Sequence, residues 1–308
     1  MKKLTLLLAL AMATIATAWA QHECNCGYSC ICDNCTVQVT PESAMQWAQE
    51  HQDQLVAAYL AQAGNKLDPD ELRKQLEPIG YDGTNVPLYR KAEWLLVDTV
   101  YTLMLHRAVA AGNPSIVVLT GPGGSGKSTS TRTMDFSRAG VLYDSALNSY
   151  SSLKQVVEKA QAHGMTQVTV VAIYNDIVTC YKNAVGRGKA TGRFLGLDYL
   201  VEAFRNNAHK IELLRLEHPE VDIIAVDNTG NNGGRRVTAD EAERWDFSVN
   251  AATLNELLTY LLNEINKGEL KGHQLASVSG NVQGIEGLDD TGKALAQEIA
   301  RRVRESAK

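Results

Sequence analysis

Residues 115–129 read S-I-V-V-L-T-G-P-G-G-S-G-K-S-T, an apolar segment that leads directly into a glycine-rich turn. The turn fits the phosphate-loop pattern G-x-x-x-x-G-K-[ST], with Gly121, Gly126, Lys127 and Ser128 at the required places. Glycine lets the backbone adopt conformations closed to other residues, so consecutive N–H groups can point into one concavity. The stretch therefore predicts a buried strand followed by a site for a nucleoside triphosphate.

Each position of this pattern has a chemical task. Lys127 is expected to reach the β- and γ-phosphates of ATP, and the hydroxyl of Ser128 to join the ligand shell of Mg²⁺. A helix starting near Lys127 would direct its positive end to the same point. The alternative is a glycine-rich turn that binds no phosphate, but the strand before it and the Lys-Ser pair favour the phosphate site. The predicted nucleotide-binding residues are Gly121, Pro122, Gly123, Gly124, Ser125, Gly126, Lys127, Ser128 and Thr129.

The composition is that of a globular protein. Of the 308 residues, 44% are hydrophobic and 21% are charged, which allows a sizeable core. The net charge of −5 argues against a protein that binds nucleic acid by bulk electrostatics. Beyond the N-terminus no apolar segment reaches the length of a membrane helix, so no stable membrane span is predicted.

The N-terminus has the pattern of a secretory signal peptide. A basic start at Met1–Lys3 is followed by an apolar segment, Leu4–Ala18, and by an A-x-A cleavage site ending at Ala20. We expect residues 1–20 to be removed on export, which gives a periplasmic or secreted protein. Because ATP is scarce outside the cell, this prediction conflicts with the phosphate loop. A mis-assigned start codon or an uncleaved segment would leave the protein in the cytoplasm.

Five of the six cysteines form a cluster close behind this signal. In an oxidising compartment such crowding favours local disulfides, although the odd number leaves one thiol over. A metal cluster is the rival interpretation, since closely spaced thiolates can wrap a soft ion, and a disordered spacer is a third. The sixth cysteine, Cys180, is expected to be a small buried side chain. The clustered residues are Cys24, Cys26, Cys30, Cys32 and Cys35.

Apolar strands alternate with helices in the second part of the chain. This alternation predicts an α/β fold, a P-loop three-layer sandwich with a mainly parallel sheet, preceded by an N-terminal helical region. The expected strands cover residues 116–120, 141–143, 168–174 and 221–226. The expected helices between and after them include residues 130–138, 149–163, 177–185 and 198–217.

These patterns divide the chain behind the signal peptide into four parts. A cysteine-rich segment covers residues 21–39, and a helical region covers residues 40–112. The domain that carries the phosphate loop is expected over residues 113–266. A C-terminal tail with one helix, residues 267–308, completes the chain.

Three acids follow expected strands, at Asp144, Asp176 and Asp227. Ligands of open parallel sheets bind at the carboxyl ends of the strands, so each acid is a candidate Mg²⁺ partner or base for a substrate hydroxyl. The alternative is a helix N-cap, for which aspartate is also favoured. Asp176 directly precedes a helix, and both interpretations stay open there. The helix after Asp144 begins later, which favours a functional role.

Residues 186–193 are basic and glycine-rich and are expected to form a loop between two helices. Phosphoryl transfer develops charge on the moving group, and mobile arginines that close over it stabilise that charge. Arg187 and Arg193 are the candidates for such a lid, and a solvated basic turn is the alternative. The predicted catalytic residues are therefore Lys127, Asp144, Arg187 and Arg193.

The order of these parts over residues 113–230 resembles the zeta-toxin type of P-loop kinase. The resemblance implies an enzyme that uses ATP and Mg²⁺ to phosphorylate a small hydroxyl-bearing metabolite, in the best-known cases a UDP-N-acetyl sugar. It implies that Lys127 and Ser128 contact the phosphates of ATP and that Asp144 lines the substrate pocket, where glutamate is usual. Arg187 and Arg193 resemble the lid arginines, and an antitoxin or immunity protein is the implied partner.

The chain departs from that family in one respect. Zeta-type kinases have a further strand after the first helix, and it ends in an aspartate proposed as the general base. Only Ser130–Gly140 is available for such a strand here, so Asp144 takes the base role or the base comes from elsewhere; Asp135 is expected on the helix. The alternatives to a metabolite kinase are a P-loop NTPase that acts on a protein partner and a secreted effector or toxin.

Overall fold

The computed structural model describes residues 39–132, 134–231, 233–270 and 272–306. The predicted signal peptide and the five clustered cysteines lie outside these ranges. Within them, residues 39–62 and 70–99 form one compact unit, and residues 63–69 and 100–306 form a second. No helix of the described residues is long and apolar enough to cross a membrane.

The first unit is helical. Its elements are α1 (Pro41–Glu50), α2 (Gln52–Leu60), α3 (Pro69–Arg73), a 3₁₀ segment (Lys74–Ile79) and the first part of α4 (Val86–Ala110), which continues into the second unit. Thr40 caps α1 by accepting a hydrogen bond from the Ser43 amide, as the Thr-Pro-Glu start predicts. A buried ion pair joins Arg73 and Glu93 at 2.6 Å.

The second unit contains a six-stranded, mostly parallel sheet in the order β1-β3-β2-β4-β5-β6. Only β6, which pairs with β5, is antiparallel. The predicted α/β class with a mainly parallel sheet is therefore confirmed. The strands are β1 (Lys66–Leu67), β2 (Ser115–Thr120), β3 (Val141–Asp144), β4 (Gln167–Tyr174), β5 (Asp222–Asp227) and β6 (Arg235–Val237).

The glycine-rich turn leaves the sheet at its centre, because β2 lies between β3 and β4. Leu119 of β2 is in register with Asp144 of β3 and with Val171 of β4, so the carboxyl ends of these strands share one edge. The position on the far side of β3 belongs to β1, which precedes β2 in the chain. The short connection between β2 and β3 therefore needs no additional strand.

The longest helices that lie entirely within the second unit come after β4 in the chain. One apolar cluster of these helices includes Tyr181, Phe204, Leu257 and Leu261, all almost inaccessible to solvent. The helices are α5 (Lys127–Ser130), α6 (Tyr150–Ala162), α7 (Ile177–Thr191), α8 (Leu197–Arg205), α9 (Lys210–Glu217), α10 (Ala239–Ala242), α11 (Ala251–Asn266), α12 (His273–Ser279) and α13 (Asp290–Ser306).

The predicted helix over residues 130–138 is wrong, because α5 ends at Ser130. The chain that follows is held in turns by side chains. Asn65 Nδ2 donates to the carbonyl oxygens of Phe136 and Ala139, at 3.1 and 2.8 Å. Asp135 accepts a hydrogen bond from the Ser137 amide at 2.9 Å and therefore lies in a turn and not on a helix.

The predicted helix over residues 198–217 is broken into α8 and α9. The break contains His209, which has a φ of 57° although it is not glycine. A non-glycine residue in this conformation is uncommon and is held there by its surroundings. The break has a consequence for the site, because it places Lys210 at the start of α9.

Candidate functional site

The motif loop, residues 121–128, has a backbone that requires glycine. Gly121, Gly124 and Gly126 have φ angles of 146°, 80° and 84°. A Cβ atom on Gly121 would lie 2.2 Å from the carbonyl oxygen of Ile173, and one on Gly124 would lie 2.0 Å from that of Cys180. Glycine is thus needed for the conformation and for the close approach of the loop to β4 and α7.

Two asparagines hold the outer side of this loop. Asn183 on α7 donates from Nδ2 to the carbonyl oxygen of Gly124 at 2.9 Å. Asn228, directly after β5, donates from Nδ2 to the carbonyl oxygen of Ser125 at 2.8 Å. The carbonyl and the N–H of one peptide unit point in opposite directions. Hydrogen bonds that hold these two carbonyl oxygens on the outer side of the loop therefore favour N–H groups that face its inner side.

The inner side of the motif loop presents backbone donors. In the part of the chain that the structure describes, no protein acceptor is recorded for the N–H groups of Gly123, Gly124, Gly126 and Ser128. Successive N–H groups of a turn with mixed backbone conformations form a concavity that binds anions. The arrangement fits the phosphate-binding role that the sequence predicts for this loop.

Lys127 lies across the mouth of the same loop. Its Nζ donates to the carbonyl oxygen of Gly121 at 3.2 Å, so the side chain folds back over the first glycine. Ser128 and Thr129 are exposed, and the Ser128 hydroxyl is accessible from the solvent side. The loop therefore combines open amides, a cation and an accessible hydroxyl within eight residues.

Asp144 ends β3, which pairs with β2, and is in register with Leu119 of β2. Its Oδ2 lies 2.7 Å from Nζ of Lys66 on β1, and Lys66 also contacts Asp68 at 3.1 Å. Burial alone would lower the pKa of Lys66, but the two carboxylates outweigh this and raise it above its ordinary value. Asp144 thus faces a charged lysine that the sequence analysis did not single out.

The other two strand-end acids stabilise turns. Asp176 accepts a hydrogen bond from the Thr179 amide at 2.8 Å and is the N-cap of α7. Asp227 accepts one from the Thr229 amide at 2.9 Å. Of the two interpretations left open for Asp176, the structure shows the cap.

The loop predicted over residues 186–193 is wrong, since α7 continues to Thr191 and Gly192 ends it with a φ of 76°. The two internal glycines do not interrupt the helix. Gly188 is required by packing, because a Cβ atom there would lie 2.4 Å from the ring of Phe194. Arg187 is therefore a helical residue and does not belong to a mobile loop. Its role in stabilising the transferred phosphoryl group stays a prediction.

Both arginines nevertheless belong to segments next to the motif loop. Arg187 follows Asn183 by four residues, so the two side chains lie on the same face of α7. Arg193 precedes Leu195, and a Cβ atom on Gly123 would lie 2.7 Å from the Leu195 side chain. The segment between α7 and α8 thus packs on the motif loop.

Cys180 is a buried thiol, as predicted. Burial, and after it the charge of Asp176, raises the pKa of this thiol to about 12, although Lys127 acts in the opposite direction. A raised pKa keeps the thiol protonated at neutral pH, and only the thiolate is a strong nucleophile.

We therefore expect Cys180 to resist alkylation by iodoacetamide at pH 8 in the folded protein. Mass spectrometry of the peptide containing Cys180 measures the modified fraction, and the same reaction in denaturant provides the control. Rapid alkylation of Cys180 in the folded protein would contradict the buried position.

Sequence reasoning missed Lys210, which is fully buried at the start of α9. Its Nζ donates to Oγ1 of Thr120 at 3.0 Å, to the carbonyl oxygen of Leu147 and to Oδ1 of Asn207. No local sequence signal distinguishes this lysine from a solvated one on an amphipathic helix. Thr120, Gly121, Lys210, Trp245 and Phe247 are among the residues that line a small cleft beside the motif loop.

A metal held by protein side chains alone does not fit this site. Among the described residues, no group of three or more His, Cys, Asp or Glu side chains could bind a metal ion. Mg²⁺ that accompanies a nucleotide needs only one or two protein ligands, because phosphate and water oxygens supply the others. The Ser128 hydroxyl, at the end of the motif loop, is suited to be such a protein ligand.

Comparison with known proteins gave no family for this chain. No protein-family model matches it, and a search of curated proteins found no significant match.

Proposed function

We propose that the protein is an ATP-dependent kinase of zeta-toxin-like build, with the P-loop form of the three-layer α/β sandwich. It would bind ATP and Mg²⁺ in the motif loop and transfer the γ-phosphate to a small hydroxyl-bearing metabolite. The geometry of the motif loop is the observation that carries this proposal. Its glycine backbone, outward carbonyls and open amides are what phosphate binding requires at the carboxyl end of a central parallel strand.

In the proposed complex the amides of the motif loop donate to phosphate oxygens. Lys127 exchanges its hydrogen bond to Gly121 for the β- and γ-phosphates, where its charge is stabilising. Mg²⁺, held by the Ser128 hydroxyl and by phosphate oxygens, would neutralise part of the negative charge.

The transfer step joins the acceptor hydroxyl oxygen to the γ-phosphorus and breaks the bond to the oxygen that bridges the β- and γ-phosphates, so ADP leaves. The hydroxyl proton must go to a base, and Asp144 is our candidate because its strand lies beside β2. Arg187 and Arg193 are candidates for stabilising the charge that develops on the moving phosphoryl group. A nucleotide sugar is the acceptor that the resemblance favours.

The proposal is tested by incubating the full chain with Mg²⁺, γ-labelled ATP and a pooled metabolite extract. We expect a labelled small molecule, whose mass spectrum identifies the acceptor, and no such product from Lys127→Ala. Label that appears only as inorganic phosphate, at a rate raised by a protein fraction, would favour an NTPase acting on a protein partner. Absence of any nucleotide turnover would contradict the kinase.

Asn183 provides a graded test of the motif loop. We expect Asn183→Ala to weaken ATP binding about fivefold, because a hydrogen bond to a backbone carbonyl contributes about 1 kcal/mol. Fluorescence titration with N-methylanthraniloyl-ATP measures the change, and Asn206→Ala, an exposed position on the chain after α8, is the matched control. Equal affinities for the two variants would show that Asn183 does not shape the loop.

The cellular location is a separate question. If residues 1–20 are an export signal, the enzyme or toxin meets ATP only after delivery to the compartment of its target and not in the space outside the cell. N-terminal mass analysis of the protein from its native host distinguishes the cases, since an intact Met1 would contradict cleavage.

A further inference from the structure

Lys210 has the hydrogen-bonding environment of a buried ammonium group. The residue is 3% exposed, and its Nζ faces three acceptors, on Thr120, Leu147 and Asn207. An ammonium has three N–H donors, so each of its protons finds one oxygen. Burial, followed by repulsion from Lys127, lowers the pKa of Lys210 well below its ordinary value, whereas the three acceptors are fully used only by the charged form.

The three acceptors belong to three different parts of the site. Thr120 is the last residue of β2 and directly precedes the motif loop. Leu147 lies in the segment that follows Asp144 and has a φ of 43°. Asn207 lies in the break between α8 and α9. One side chain therefore joins the start of the motif loop to the segment that continues β3.

Further hydrogen bonds join the same two segments. The Gly121 amide donates to the carbonyl oxygen of Ala146 at 3.1 Å. The Thr120 hydroxyl donates to the same oxygen at 2.9 Å, while its own oxygen accepts from Lys210. Lys210 thus completes a network that fixes residues 145–148 against the first glycine of the motif loop.

We propose that Lys210 is a positioning residue, which fixes the segment that directly follows Asp144 against the start of the motif loop. The proposal rests on the kinase function, in which the motif loop holds ATP and the Asp144 segment faces the acceptor. All three donors of Lys210 are directed at protein oxygens, so we expect its loss to spare ATP binding and impair transfer. A displacement of about 1 Å between reacting groups can cost about a hundredfold in rate.

The test replaces the amine by a side chain of similar length without donors, Lys210→Met. At saturating ATP, transfer of γ-label to the pooled extract should fall about 10- to 100-fold, while the affinity for N-methylanthraniloyl-ATP stays within about threefold of the wild type. Lys182→Met is the matched control, because Lys182 is an exposed lysine on α7 whose Nζ lies 3.9 Å from a carboxylate oxygen of Glu256. It should transfer at the wild-type rate.

A second pair of variants covers the case in which Lys210→Met fails to fold. Thr120→Val keeps the β-branched shape in β2. It removes the hydroxyl, which accepts a hydrogen bond from Lys210 and donates one to the Ala146 carbonyl oxygen. Thr120→Ser keeps that hydroxyl. We expect Thr120→Val to lower the rate of transfer with little change in nucleotide affinity. Thr120→Ser should transfer at close to the wild-type rate. Hydrogen exchange of the Gly121 amide, which donates to the Ala146 carbonyl oxygen, should be faster in Thr120→Val and in Lys210→Met.

The outcomes separate this inference from the kinase function itself. Wild-type transfer rates in Lys210→Met, or equal losses of transfer and of nucleotide affinity, would overturn the positioning role. If the wild-type protein binds no N-methylanthraniloyl-ATP, the kinase function fails, and hydrogen exchange alone then decides whether Lys210 fixes residues 145–148. Unchanged exchange in both variants would overturn that contact network too.

Discussion

Replacing Lys127 by alanine should lower phosphoryl transfer about a thousandfold, the scale on which phosphate-neutralising and transition-state donors act. The substitution removes the only cation contributed by the motif loop itself. Its Nζ already lies at the loop mouth, 3.2 Å from the Gly121 carbonyl oxygen, so it needs little reorganisation to reach bound phosphates. Steady-state transfer of γ-label, measured against nucleotide affinity, gives the size of the effect.

The control for this prediction is Lys182→Ala, which removes an exposed lysine from α7. It changes the net charge by the same amount, so any difference between the two variants reports the position of Lys127. A Lys127→Ala protein that binds ATP and transfers phosphate like the wild type would contradict the assignment of the motif loop.

Replacing Gly124 by alanine should destabilise the second unit by about 3 kcal/mol and reduce ATP affinity at least about tenfold. Two costs act together at this position. The φ of 80° is strained for alanine, and the new Cβ would lie 2.0 Å from the backbone oxygen of Cys180. Backbone atoms cannot rotate away as a side chain can, so the motif loop must move off α7.

Gly186→Ala is the matched control. It lies on α7, the helix against which Gly124 packs. A Cβ atom at Gly186 meets no heavy atom within 4 Å. Alanine in a helix interior reduces the entropy of the unfolded chain, so this variant should be more stable by about 0.5–1 kcal/mol. Urea denaturation of both variants measures the difference. Equal stabilities would contradict the close packing of the motif loop on α7.

The central part of the fold could be predicted because its signals are local. The strands β2 to β5 are apolar over most of their length, as expected of strands in a parallel sheet that is covered on both faces. The start of α1 is marked by Thr40 and Pro41, and Ser149 caps α6 where the sequence places a helix. The glycine spacing of the motif loop likewise encodes a backbone shape within eight residues.

The elements that the sequence did not reveal depend on tertiary contacts. Lys66 and Leu67 form a strand only because β3 offers an edge, and two residues carry no periodic pattern. The sequence predicts a loop at Gly188, but the residue is helical, and glycine is needed there because the ring of Phe194 packs against it. Lys210 looks like any surface lysine, because two of its three acceptors, on Thr120 and Leu147, come from distant parts of the chain.

The strand-end acids illustrate the same limit for the site. Asp144, Asp176 and Asp227 share one sequence signal, since each follows an expected apolar strand. The structure separates them: Asp176 and Asp227 accept from nearby amides, and Asp144 pairs with Lys66 across the sheet. The partner of a carboxylate, more than its place after a strand, decides whether it is available for chemistry.

The central claim, that the motif loop binds a nucleoside triphosphate, is tested most directly by calorimetric titration of the full chain with MgATP. We predict saturable binding of one nucleotide per chain in the wild type and in Gly186→Ala, and strongly weakened binding in Lys127→Ala and Gly124→Ala. Absence of binding to the wild type, or equal binding to all four proteins, would contradict the claim.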